Sequence, residues 1–258
     1  MHREEPGPGG YAARNLGIRE AKADWVTFLD ADDEWYPEHL KKTFDVINKF
    51  PNLSVFTSAR YVNKNGKTEL DSFSKSIIHK YQKFTLEDYL RNILIGRRPL
   101  HPNSICIRKN KLSYIQLFPT KRTQRSGDLY AWIKLLTEMK EFVWSPHISA
   151  LVNKDTIGVS RSSTPSIQIF KDLVSETDAQ LTSNEKILIK KNANRLIKTA
   201  WFENKKSGNN LQRLYTHLYW KDDITFCLVF TLLSFLPYFL LRPLRRRSFT
   251  KLKSFIYK

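Results

Sequence analysis

Cysteine is scarce. Cys106 and Cys227 are the only two in 258 residues, too few for a disulfide framework or a four-ligand zinc site. No tract is compositionally simple and no segment repeats, which sets aside solenoids and propellers. The opening stretch Met1-His2-Arg3-Glu4-Glu5-Pro6-Gly7 has no apolar run, so the expectation is a chain without a signal peptide that stays in the cytoplasm. Acid is also in short supply: 25 Asp plus Glu against 43 Lys plus Arg leave a formal charge of +18. What is abundant is apolar material, at 41% with 13% aromatic, enough to bury a core and to exclude a wholly disordered chain. Length permits one large domain, or one domain with a smaller appendage.

The positive excess implies an anionic partner, and its location narrows the choice. Residues 242–258 hold Arg242, Arg245, Arg246, Arg247, Lys251, Lys253 and Lys258 and no acid, directly after the apolar run 224–241. A basic cluster bordering an apolar helix predicts contact with anionic membrane lipids, each cation contributing about 1 kcal/mol near the surface. Nucleic acid is not the expected partner, because aromatic residues are not interleaved with basic ones in the rest of the chain. As a helix, 224–241 would reach ~27 Å, the lower limit for crossing ~30 Å of hydrocarbon. The positive-inside rule puts the basic segment on the cytoplasmic side. A domain using a cytosolic substrate lies on that side as well, so a kinked, in-plane or re-entrant segment is expected rather than a single crossing. Pro237 supplies the kink, and Tyr215, Tyr219 and Trp220 suit an interfacial belt.

Periodicity and punctuation predict the elements. Residues 1–10 read as loop, 11–23 as helix, and Trp25-Val26-Thr27-Phe28-Leu29 as a short buried strand. Pro37 opens a helix to about Lys49; 53–63 reads as strand, closed by the turn Asn63-Lys64-Asn65-Gly66. Thr85 is placed as N-cap of a helix with Asp88 at its third position. Residues 103–108 read as strand, 127–140 as helix and 147–152 as a last strand. Beyond about 165 only helix is expected, over 185–202 and 211–220. Strands alternating with helices predict an α/β layer with a mainly parallel or mixed sheet over residues 1–165. A helical extension over 166–220 and a membrane-associated tail over 221–258 would follow it.

The informative chemistry is Phe28-Leu29-Asp30-Ala31-Asp32-Asp33. Carboxylates crowded at the carboxyl end of a buried strand call for a cation, and that end of an open α/β sheet is where ligands bind. Carboxylates together with phosphate oxygens are the usual cage for Mg²⁺ or Mn²⁺. The bland alternative is an acidic loop capping the next helix. A calcium EF-hand loop fails, since Trp35 and Lys41 stand where Gly and Glu are needed. An aspartyl-phosphate hydrolase fails on Glu34, which occupies its hydroxyl position. A nucleotide-diphosphate site is left in front.

The run Gly9-Gly10-Tyr11-Ala12-Ala13-Arg14-Asn15-Leu16-Gly17-Ile18, followed by residues 21–35 with Asp30-Ala31-Asp32-Asp33-Glu34-Trp35, resembles family 2 glycosyltransferases of the GT-A fold. Weaker similarity extends to about 162, through Pro102-Asn103-Ser104-Ile105-Cys106-Ile107-Arg108-Lys109 and Gly127-Asp128-Leu129-Tyr130-Ala131-Trp132. The resemblance implies an incomplete GT-A (Rossmann-like, mixed-sheet) domain, with the nucleotide-base-binding portion that family members carry before the Ala-Arg-Asn helix missing. It implies that Asp30 and Asp32 hold the metal and the donor, that Arg14 and Asn15 lie on the nucleotide side, and that Asp128 is the catalytic base. Lys154 or Arg161 would face the diphosphate. The implied reaction is metal-dependent, inverting transfer from a nucleotide-diphosphate-sugar to a glycan or glycolipid acceptor, in cell-surface polysaccharide biosynthesis at the cytoplasmic membrane face. The competing expectation is a non-catalytic remnant or membrane-binding protein retaining only the acceptor half.

Overall fold

The structure, a computed structural model, describes residues 9–77, 80–112, 116–155, 163, 166–208 and 213–241. Helix α1 (Gly10–Glu20) starts at Gly9, whose φ of 95° no side-chain-bearing residue adopts readily. Strand β1 (Trp25–Thr27), the short β2 (Glu34–Trp35) and α2 (His39–Lys49) follow, then the long β3 (Val55–Lys64) and its hairpin partner β4 (Lys67–Leu70). The hairpin turns through Asn65 and Gly66, both in the left-handed region, as a two-residue turn requires. Next come β5 (Gln82–Thr85), α3 (Leu86–Leu94), β6 (Ile105–Arg108), α4 (Gly127–Met139) and β7 (Glu141–Asn153). Helices α5 (Ile167–Thr177), α6 (Ser183–Lys206) and α7 (Ile224–Ser234) follow, and residues 238–241 at the end of the described chain are again helical.

The sheet order is β1-β6-β3-β7-β2, with β4 beside β3 and β5 beside β7. It is mixed rather than mainly parallel: among the described residues only β3 and β7 run together, and every other pair is antiparallel. Strand β7 begins six residues before the predicted strand. Pro146 lacks an N–H, which argues against a strand through it, yet the register jumps there. Ser58 faces Ser145 and Ala59 faces Ile148, so Pro146 and His147 form a bulge outside the ladder.

Local signals set the helix starts. The Thr85 hydroxyl accepts from the Asp88 N–H at 3.2 Å, and the Asp88 carboxylate accepts from the Thr85 N–H at 2.9 Å, a reciprocal cap on α3. Thr182 and Glu185 cap α6 in the same way. The helix expected over 211–220 is not formed; among the described residues of that stretch there is one 3₁₀ turn, Leu214–Thr216. The apolar run 224–241 is not one helix either: α7 ends at Ser234, ahead of Pro237. Among the described residues no helix is long and apolar enough to cross a membrane.

The larger of two apolar clusters joins sheet and helices. Phe73, Tyr89, Phe118, Tyr130, Trp132, Phe142 and Trp144 are all essentially sealed from solvent, and the same cluster continues through α5 and α6 to Phe226 and Leu241. Inside it lies an ion pair: Arg60 on β3 donates to Asp71 at 3.2 Å and to the Arg98 carbonyl at 2.7 Å. Asp71 in turn accepts from the Phe73 N–H at 2.9 Å, so the pair ties the 71–74 turn to the 98–100 loop. Losing one partner would leave a buried charge, a defect of about 3–5 kcal/mol.

Candidate functional site

Phe28 ends the β1 segment as a buried plug, edge-on to Phe118 with ring centroids 5.6 Å apart. The chain then turns through Asp30, Ala31, Asp32 and Asp33, with the Asp33 N–H donating to the Asp30 carbonyl at 3.1 Å. Two asparagines fix this turn. The Asn103 side chain accepts from the Asp30 N–H at 2.9 Å and donates to the Asp33 carboxylate. Asn153, the last residue of β7, donates its backbone N–H to Asp33 at 2.6 Å and its side-chain amide to the Asp32 carbonyl at 2.9 Å. Trp35 completes the frame by donating to the Asn103 carbonyl at 2.9 Å. Both carboxylate oxygens of Asp33 are therefore used within the fold. Burial pushes its pKa up, against those hydrogen bonds, with Asp32 and Asp30 adding to the rise.

Arg14 on α1 joins the turn to α4. Its guanidinium donates to Asp30 and, at 3.1 Å, to Asp128, two carboxylates from distant parts of the sequence. It sits over the Phe118 ring at 5.4 Å and is mostly enclosed, so this is a partly desolvated bridge rather than a surface pair. Asp128 stands in the first turn of α4. Ser126 enters that helix in the left-handed region, and the Gly127 N–H donates to the Tyr11 hydroxyl at 2.9 Å. A Cβ on Gly127 would lie 2.5 Å from the Tyr11 ring, so glycine is required by that close approach. Tyr11 is itself held, stacked on Phe118, and burial raises its pKa to about 12.

The Asp128 carboxyl is recessed but open, with 39% of its side chain exposed. The surrounding protein raises its pKa; Arg14 pulls it back, Asp30 pushes it further up, and Arg98 and Lys154 draw it down. A carboxylate held above its ordinary range at the mouth of a recess is suited to accepting a proton. His101 lies among the same cations, and burial with Arg60, Lys154, Arg14 and Arg98 drives its pKa down. It is an internal support, whose ring nitrogen accepts from the Asn103 N–H at 3.4 Å.

The predicted residues thus divide. Arg14, Asp30 and Asp128 meet directly, and Asp32 is exposed at the tip of the same turn. Asn15 is engaged elsewhere: its amide donates to the Phe118 carbonyl at 2.8 Å and to Thr120 at 2.9 Å, while its oxygen accepts from the Phe118 N–H at 2.9 Å. Asn15 is a clamp for the loop carrying Phe118. Arg161 lies outside the described residues. Asn103, Asn153 and Tyr11 emerge as framing residues that sequence reasoning did not single out; Pro102 beside Asn103 was the one local hint of a fixed turn. For a metal, Asp30 and Asp32 are the carboxylates this turn could offer. Among the described residues no group of three or more His, Cys, Asp or Glu converges on one point.

Residues 1–111 match the profile of the family described as Glycosyl transferase family 2. A putative teichuronic acid biosynthesis glycosyltransferase, TuaG of Bacillus subtilis (strain 168), is 31% identical over 132 residues, 51% of this chain and 47% of that protein. The succinoglycan biosynthesis protein ExoW of Rhizobium meliloti (strain 1021) is 46% identical over 46 residues, 17% of this chain and 14% of that one. The chain therefore spans about half the length of the former and less of the latter. Among solved structures, S. aureus TarS 1–349 in complex with UDP-GlcNAc superposes with a TM-score of 0.68 at 16% identity, covering 91% of this chain and 72% of that one. At that identity the likeness is one of fold.

Proposed function

We propose that the chain, whose residues 1–111 match the profile of glycosyl transferase family 2, transfers a sugar from a nucleotide-diphosphate-sugar donor to a glycan or glycolipid acceptor. The observation that carries this reading is the Arg14 bridge, which brings Asp30 and Asp128 to one guanidinium from strand end and helix start. In this reading Asp128 accepts the proton of the attacking acceptor hydroxyl, a poor nucleophile until deprotonated. Its raised pKa supports that role, because a stronger base removes the proton more readily. With Asp128 as the base and no carboxylate nucleophile required, the family resemblance supports transfer with inversion at the anomeric carbon.

The carboxylates suit a divalent cation bound together with a diphosphate. Mg²⁺ is usually held by one or two carboxylates plus substrate phosphates, and Asp30 and Asp32 on one turn supply that set without a third protein ligand. Mg²⁺ or Mn²⁺ there would stabilise the charge of the departing nucleoside diphosphate. Arg14 ties Asp30 to Asp128 and orients both, and Asn103 and Asn153 brace the turn. Lys154, near Asp128, suits the diphosphate by charge. The printed names of TuaG and ExoW support surface-polysaccharide synthesis as the setting. We place the reaction at the cytoplasmic membrane face, with anionic lipid as the partner of residues 242–258.

The test is release of nucleoside diphosphate from a panel of nucleotide-sugars, UDP-GlcNAc first, with Mn²⁺ and a bacterial lipid extract as acceptor. Release by the wild type that falls at least 100-fold in Asp128→Asn is expected. Equal release by both proteins removes Asp128 from the chemistry, and no release by folded wild type supports the non-catalytic reading.

A further inference from the structure

Helix α7 carries no charged residue, yet it lies on the outside of the molecule. Its inner face is accounted for: Phe226, Cys227 and Phe230 are buried against α6, with Phe230 edge-on to Phe202 at 6.4 Å and Arg195 stacked 3.4 Å over Phe226. Lys205 of α6 ties down its far end by donating to the carbonyls of Ser234 and Leu236, both at 2.6 Å. The outer face is a ridge of Ile224, Leu228 and Leu232 at four-residue spacing, continued past the helix by Phe235 and Phe239. All five are more than half exposed, Phe235 most of all at 74%. A surface helix in water carries polar residues on its outer face. This one presents leucine and phenylalanine, and a contiguous apolar patch of that kind marks an interaction site.

We infer that this ridge lies flat in the headgroup and outer acyl region of an anionic lipid surface, as an in-plane seat. Two observations select lipid over a second copy of the chain. The sequence immediately beyond Leu241 carries seven Lys or Arg and no acid, complementary to anionic headgroups. A symmetric dimer through the ridge would instead bring two such segments of a +18 chain together. Helix length agrees with the in-plane orientation: the 11 residues of α7 extend ~16 Å, about half a hydrocarbon core. The inference rests on the membrane-face placement proposed above and is independent of the transfer chemistry.

The test uses the full chain and flotation with phosphatidylcholine vesicles, with and without phosphatidylglycerol. Wild type is expected to float with the phosphatidylglycerol vesicles, and Leu228→Glu/Leu232→Glu to lose at least roughly tenfold in partitioning, since two inserted leucines become acids. Both positions are exposed, so circular dichroism should match wild type. In a second variant, Leu232→Cys, an environment-sensitive thiol label reports position 232 while the native Cys106 and Cys227 are buried. Its emission should shift to the blue only when anionic vesicles are added. Equal flotation of the acidic variant overturns the proposal. So does a label already shielded without lipid, or a wild-type dimer that the acidic variant dissolves without change in flotation. None of these readouts involves donor or acceptor, so failure here leaves the transferase reading standing.

Discussion

The acidic turn after β1 and the outer face of α7 are opposite solutions to the same constraint. At the turn, charge is crowded and almost every group has a partner: Asp33 is held by Asn103 and Asn153, and Asp30 and Asp128 share Arg14. On α7 the exposed side chains other than Thr225 are apolar, Ile224, Leu228 and Leu232. Charges near a low-dielectric interior must be fixed by specific partners or they destabilise the fold, so a site built from them is rigid and geometric. Exposed leucine costs little while water is its neighbour and gains only when another apolar phase arrives. The first region is organised by its own internal contacts, and the second leaves its apolar surface facing solvent.

The largest effect that could break this contrast is on turnover. Asp128→Asn should lower kcat by about 100- to 10,000-fold without lowering the melting temperature at pH 7. The sign follows from its raised folded-state pKa. Such a carboxyl contributes stability below its unfolded pKa and loses it as pH rises through the folded one, so at pH 7 the ionised group favours unfolding. For the same reason the acid limb of the wild-type rate profile should lie above the ordinary carboxylate range of about 4, with activity falling as pH drops through it. A Tm that falls sharply in Asp128→Asn would mean that Arg14 needs both partners to keep the turn in place.

Next in size is Arg60→Ala, which strands Asp71 and frees the 98–100 loop; chemical denaturation should show a loss of about 3–5 kcal/mol. Gly127→Ala follows, at about 1–3 kcal/mol, because its methyl group meets a Tyr11 ring that Phe118 and the Gly127 N–H hold in place. The smallest effect is predicted on the other side of the comparison. Leu232→Ser in lipid-free solution should stay within about 0.5 kcal/mol of wild type. A larger loss would show that the ridge is packed in the free protein and would erase the distinction.

Elements with their own local punctuation were legible from sequence. The Thr85 to Asp88 cap, the Asn65-Gly66 turn and Pro37 ahead of α2 each encode an end without help from the rest of the chain. Strands β2, β4 and β5 were not legible, because two to four residues paired at a sheet margin leave no periodic trace. The first half of β7 was hidden by Pro146, tolerated only because the parallel partner β3 permits a bulge opposite it. The acidic turn announced itself by composition. Its junction with Asp128 did not, since a contact spanning more than a hundred residues is a property of the tertiary fold; only the family pattern around Gly127 and Asp128 pointed there. Asn15 shows the limit of such a pattern: it lies beside Arg14 in the motif, yet its amide fixes the Phe118 loop.

The most direct measurement is titration calorimetry of UDP into the folded chain, with and without Mn²⁺, for wild type and Asp32→Asn. Heat that requires Mn²⁺ in wild type and vanishes in Asp32→Asn is the predicted result. The same heat from both proteins, or none from wild type with Mn²⁺ present, would contradict a cation seated on the Asp30–Asp32 turn.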